Sequence, residues 1–83
     1  MKTFPEVLTL TRKLLTFNTI NPPGMERDCA KYLGGLLEDG GYQVDYFEYD
    51  TGRTSLVAFR RVTGAKSALC FSGHIDTVPL GAA

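Results

Sequence analysis

Apolar positions in the first half of the chain recur at helical spacing. Val7, Leu8, Leu10, Leu14, Leu15 and Phe17 fall on one broad face and predict a helix from Pro5 to about Phe17, with Thr3 as N-cap and Pro5 in the first turn. Asn21-Pro22-Pro23-Gly24 ends it, because prolines remove amide donors and push the preceding residue out of the helical region. A second helix is predicted from about Met25 to Asp39. Met25, Cys29, Leu33, Leu36 and Leu37 share its apolar face, and Glu26 and Asp28 suit its positive first turn. Gly40-Gly41 stops this helix, whereas Gly34-Gly35 in its middle implies close packing or a local irregularity.

Beyond Gly41 the period changes from helical to alternating. Tyr42 to Tyr49, Thr54 to Val62 and Ala68 to Gly73 read as strands, separated by the turn signals Asp50-Thr51-Gly52-Arg53 and Thr63-Gly64-Ala65-Lys66. The prediction is an α/β arrangement of two helices followed by a three-stranded antiparallel meander, with the helices on one face. If Thr51-Gly52 forms the first loop, Val44 faces Phe59 and Tyr46 faces Val57, leaving Gln43, Asp45 and Arg60 on a more polar side. Acidic Asp45, Glu48 and Asp50 precede basic Arg53, Arg60, Arg61 and Lys66, which reads as cross-strand pairing on a solvated face.

Composition narrows the function classes. The 83 residues suit one small domain, and 43% apolar and 22% charged residues are ordinary globular values. Nine basic against nine acidic residues provide no electrostatic footprint for nucleic acid or an anionic membrane. No apolar run approaches the roughly 20 residues of a bilayer span, and the start carries no apolar signal-peptide core, so a soluble, cytoplasmic protein is expected. Cys29 and Cys70 stand apart from any CxxC pair and lie in apolar stretches, where buried, reduced thiols are expected.

One segment stands out chemically: Ser72-Gly73-His74-Ile75-Asp76-Thr77-Val78-Pro79. His74 is the chain's one histidine, at the end of the third predicted strand. Asp76, two residues on, shares its face on an extended backbone. A carboxylate beside an imidazole accepts its ring N–H, fixes the tautomer and makes the other nitrogen a better metal ligand. The bland alternative is a surface histidine beside a turn-capping aspartate. One histidine does not make a zinc site, which wants about three or four protein ligands. Templates for a serine nucleophile elbow, a P-loop and a dinucleotide fold are all missing, and neither cysteine has a basic neighbour to activate it.

That string resembles the first metal-site signature of the aminoacylase / acetylornithine deacetylase / succinyl-diaminopimelate desuccinylase / glutamate carboxypeptidase family of zinc metallohydrolases. Further similarity runs through Leu14 to Glu26, Tyr32-Leu33 through Gly41-Tyr42-Gln43-Val44, and Thr54 to Ala58. The resemblance implies that His74 ligates one zinc of a two-zinc site, where cobalt can replace zinc, and that Asp76 is the catalytic-site carboxylate orienting His74. It also implies that residues 1–83 are the amino-terminal part of a single α/β/α catalytic domain of the zinc-peptidase type. The remaining ligands, the general base and a dimerisation domain would then lie in the rest of a parent chain, expected to be a homodimer.

The implied activity is hydrolysis of N-acyl amino acids or peptides, acetylornithine deacetylase-like or desuccinylase-like, by a metal-activated water with a glutamate base. The 83 residues alone are expected to be inactive. The competing expectation is a self-standing α/β module that binds a partner and catalyses nothing. Downstream acids and a second histidine in a longer reading frame would decide for the enzyme.

Overall fold

The computed structural model describes residues 5–64 and 66–81. Their order is α1 (Val7–Leu15), α2 (Arg27–Asp39), β1 (Gln43–Asp50) and β2 (Arg53–Phe59). The two strands form one antiparallel hairpin. Predicted and observed helices agree in number and place, each starting two residues later than expected.

Glu6 occupies the N-cap of α1 with an extended backbone, and its carbonyl accepts from Leu10 N at 2.8 Å. Thr3, the expected cap, lies outside the described residues. Arg12 and Lys13 in the last turn complement the helix dipole. The apolar face of α1 is only lightly used. Leu10, Leu14 and Phe17 are half-buried, whereas Val7 and Leu15 remain 82% and 74% exposed. Its contact with α2 runs through Phe17 and Tyr32, whose rings lie 5.6 Å apart beneath the Lys13 ammonium.

α2 is the element around which the rest is arranged. Cys29, Ala30 and Gly34 are buried on the side facing the hairpin. Its end is a Schellman cap: Gly41, at φ +92°, donates to Glu38 O and Tyr42 N donates to Leu37 O, both at 3.0 Å. The expected close packing at Gly34-Gly35 is found at Gly34 alone, against the Tyr46 hydroxyl; Gly35 faces open space.

The hairpin turns at Thr51-Gly52 as expected, but its register is displaced by one residue. Val44 pairs with Ala58 and Tyr46 with Leu56, because an irregularity between Glu48 and Asp50 inserts Tyr49 as an extra residue. Val44, Tyr46, Leu56 and Ala58 thus share the half-buried face against α2, while Phe47 and Val57 turn outward beside Gln43 and Asp45. The outer face is therefore less polar than predicted.

The third predicted strand, and with it the meander, is not found among the described residues. Ala68 to Gly73 form no ladder, and Leu69 and Phe71 are exposed. A continuous apolar run suits a strand covered on both faces, and this hairpin carries a helix on one face only. Cys70 is accordingly exposed rather than buried; both thiols are free, and Cys29 is buried as expected. No helix among the described residues is long and apolar enough to cross a membrane.

Candidate functional site

The segment after residue 73 is held by a different device from the one predicted. Ile20 and Thr77 form an isolated parallel bridge, in which Asn21 N donates to Thr77 O at 2.8 Å and Thr77 N donates to Thr19 O at 3.0 Å. The buried Thr19 hydroxyl adds a bond to Ile75 O at 2.9 Å. The loop leaving α1 thus grips residues 75–77 from one side. Its shape comes from local chemistry: Asn18 Oδ1 accepts from Ile20 N at 3.2 Å, and Gly24 N donates to Ile20 O at 2.8 Å.

His74 and Asp76 meet within this clamp. The ring Nδ1 lies 3.2 Å from Asp76 Oδ1 and 2.9 Å from the Asp76 carbonyl oxygen. Both neighbours are acceptors, so the neutral ring carries its proton on Nδ1 and keeps the Nε2 lone pair free. The imidazole is 83% exposed, and the free nitrogen is open to a ligand. The expected pairing is present, although it arises in an extended segment and not in a strand.

The other carboxylate oxygen of Asp76 faces inward. Asn21 Nδ2 donates to Oδ2 at 3.2 Å, and the Arg53 guanidinium lies 4.0 Å from the same atom. The Asn21 amide chiefly, with His74 and Arg53 adding to it, holds the Asp76 carboxyl below its ordinary range. Arg53 is fixed in turn by Glu26, to which it donates through Nε at 3.3 Å and through its terminal nitrogen at 3.1 Å. Glu26, read from sequence as a first-turn acid, is a buried N-cap residue whose charge is met by this pair. Of the strand charges expected to pair across the hairpin, Arg53 and Glu48 pair instead with the start of α2: Glu48 accepts two bonds from Arg27, each 2.6 Å.

Sequence reasoning missed Asn21, Glu26 and Arg53 as neighbours of the site. A glutamate two residues after a Pro-Pro-Gly turn, at the start of α2, was the available signal, since a carboxylate buried there needs a cation.

Donor chemistry limits what these residues can hold. His74 offers one imidazole nitrogen, with a carboxylate placed to orient it, which fits one corner of a metal centre. No group of three or more His, Cys, Asp or Glu side chains converges among the described residues.

Curated relatives match most of the chain. It is 30% identical over 74 residues to the succinyl-diaminopimelate desuccinylase of Wolbachia sp. subsp. Brugia malayi, an alignment covering 87% of this chain and 18% of that protein. The Pseudoalteromonas atlantica desuccinylase is 34% identical over 80 residues, covering 94% of this chain and 19% of that protein. The Wolinella succinogenes desuccinylase is also 34% identical, over 79 residues, with 93% and 20% covered. Over 87–94% of its length the chain is similar to succinyl-diaminopimelate desuccinylases. It spans about a fifth of the length of these relatives. No protein-family model matches the chain, and no solved structure matches it.

Proposed function

We propose that these residues form the amino-terminal part of the catalytic domain of a zinc-dependent amidohydrolase that removes an acyl group, succinyl first among them, from an N-acyl amino acid. The observation that carries the reading is the His74–Asp76 pair, with Nδ1 held against Asp76 and Nε2 left free. Support comes from the Gly-His-x-Asp-Thr-Val-Pro string and from the names of the relatives.

In this reading His74 Nε2 is a metal ligand and Asp76 keeps the ring in the tautomer that frees it. Bound zinc supplies Lewis-acid polarisation of a water molecule and of the scissile carbonyl. Asp76 holds the Nδ1 proton throughout and strengthens the imidazole as a donor. The second metal position, where cobalt can replace zinc, the general base and the acyl-selecting contacts belong to further residues of a longer, homodimeric cytoplasmic enzyme. One imidazole cannot position two metals, so the 83 residues alone turn over no substrate.

The test is hydrolysis of N-succinyl-diaminopimelate by the full-length protein, metal-stripped and then reconstituted with zinc or cobalt. Activity that returns with metal and is abolished by His74→Ala is expected. Full activity after metal removal would overturn the zinc reading, and turnover by the mass-verified 83-residue chain would overturn its inactivity.

A further inference from the structure

We infer that Asn21 and Arg53 are positioning residues that act on His74 through Asp76, by holding its Oδ2 oxygen so that Oδ1 faces the ring. The inference rests on the metal-site reading of His74 only for its consequence, not for its geometry.

The two oxygens of Asp76 have separate partners. Oδ1 faces His74 Nδ1 at 3.2 Å, while Oδ2 accepts from Asn21 Nδ2 at 3.2 Å and has the Arg53 guanidinium 4.0 Å away. A carboxylate with one partner swings about its side-chain torsions; one held at the far oxygen presents the near oxygen in a fixed direction. Both holders are themselves fixed from behind. Asn21 is clamped through its backbone to Thr77 O at 2.8 Å, within the Ile20–Thr77 bridge. Arg53 is fixed by its two bonds to buried Glu26 and lies 5.5 Å from the Tyr49 ring centroid.

Gly24 makes the arrangement possible. It takes φ +75°, and a side chain built there would meet Glu26 Oε1 at 2.6 Å and Arg53 Nε and Cζ at 2.7 Å. The Pro-Pro-Gly turn therefore has two tasks: it ends the approach from α1, and it leaves room for the Glu26–Arg53 pair directly behind Asp76. Three stretches distant in sequence, around residues 21–26, 53 and 74–76, are joined by this one relay.

The experiment uses the full-length protein and two readouts. Ring 15N shifts of His74 in the metal-free protein, at a pH where the ring is neutral, give the share of the Nδ1–H tautomer. Chelator competition gives the zinc dissociation constant. Wild type is expected to be mainly Nδ1–H. Asn21→Ala and Arg53→Met should each move the ring toward Nε2–H and weaken zinc about 10-fold, the lower end of the usual effect of such supporting groups. Asn21→Asp, of equal size but like charge to Asp76, should do worse than Asn21→Ala, an order that a purely structural role would not produce.

Unchanged tautomer in folded Asn21→Ala and Arg53→Met proteins would overturn the inference, as would Asn21→Asp indistinguishable from Asn21→Ala. Should Arg53→Met fail to fold with Glu26 left unpaired, Glu26→Met/Arg53→Met removes both charges and is judged by the same tautomer criterion. If His74→Ala binds zinc like wild type, the metal reading falls alone, and the ring shifts still decide the positioning.

Discussion

Gly34 of α2 lies against the hydroxyl of Tyr46 on β1, so closely that a methyl group built on Gly34 would overlap the phenol oxygen. The adjacent Gly35 has nothing within 4 Å of the same construction. Two neighbouring glycines in one helix therefore have opposite constraints. Gly35→Ala should stabilise the fold by about 0.5–1 kcal/mol, because alanine loses less backbone freedom in a helix. Gly34→Ala should destabilise it by about 1–3 kcal/mol through overpacking. Adding Tyr46→Phe should recover part of that loss, as denaturant midpoints of the three variants would show. Equal effects of the two alanines would refute the packing account.

Glu48 sets the acid limit of the helix–hairpin contact. Hydrogen bonds from Arg27 first, then from Thr54, lower its carboxyl from 4.5 to about 2. A depressed folded-state value means that the carboxylate favours folding above its unfolded value and that this contribution is lost as pH falls. The loss should therefore run from about 4.5 down to about 2. Glu48→Gln should flatten the stability profile across that window, measured by denaturant unfolding at stepped pH. A profile that stays equally steep would remove Glu48 as its source.

Within the proposed enzyme, His74 and Asp76 differ in kind. Loss of His74 deletes a ligand, so His74→Ala should lose zinc from that position and essentially all turnover. Asp76→Asn retains shape but removes the anionic acceptor at Oδ1, and a 10–100-fold fall in affinity or rate is expected. Bound zinc and hydrolysis rate measured on both variants separate the roles. An Asp76→Asn protein with wild-type rate would reduce Asp76 to a turn cap, and one with no zinc would make it a direct ligand.

Gly24→Ala tests the turn behind the site. Left-handed backbone and the contacts with Glu26 and Arg53 oppose a side chain there at once. A loss of about 2 kcal/mol or more is expected in thermal or denaturant unfolding, and Pro23→Ala should be milder, because Pro23 is exposed. A neutral Gly24→Ala would contradict the observed turn.

Much of this was legible in the sequence because it depends on local signals. Helical spacing, Gly40-Gly41 and the Thr51-Gly52 loop each act over a few residues, and both helices and the hairpin stand where these predicted them. The hairpin register was not legible, since the irregularity after Glu48 leaves no distinct signature and shifts every pair above it. Nor was the fate of Ala68 to Gly73, because an apolar run becomes a strand only when a partner and two covering layers are present. His74 and Asp76 were identifiable two residues apart; Asn21, 55 residues before Asp76, was not, because only the folded chain brings it near.

The paired charges at the start of α2 have alternating polarity. Glu26 reaches Arg53 while its neighbour Arg27 reaches Glu48, so adjacent helix residues of opposite sign meet opposite signs on the two strands. Sliding the helix by one residue would carry Glu26 into the place of Arg27 beside Glu48 in one direction, or Arg27 into the place of Glu26 beside Arg53 in the other, and either move replaces an attraction with a repulsion. The close contact of Gly34 with Tyr46 fixes the same phase from the apolar side, and the charge alternation is a second constraint on it. It works as a keyed connector that seats in one phase, and the same seating sets how far Arg53 extends toward Asp76.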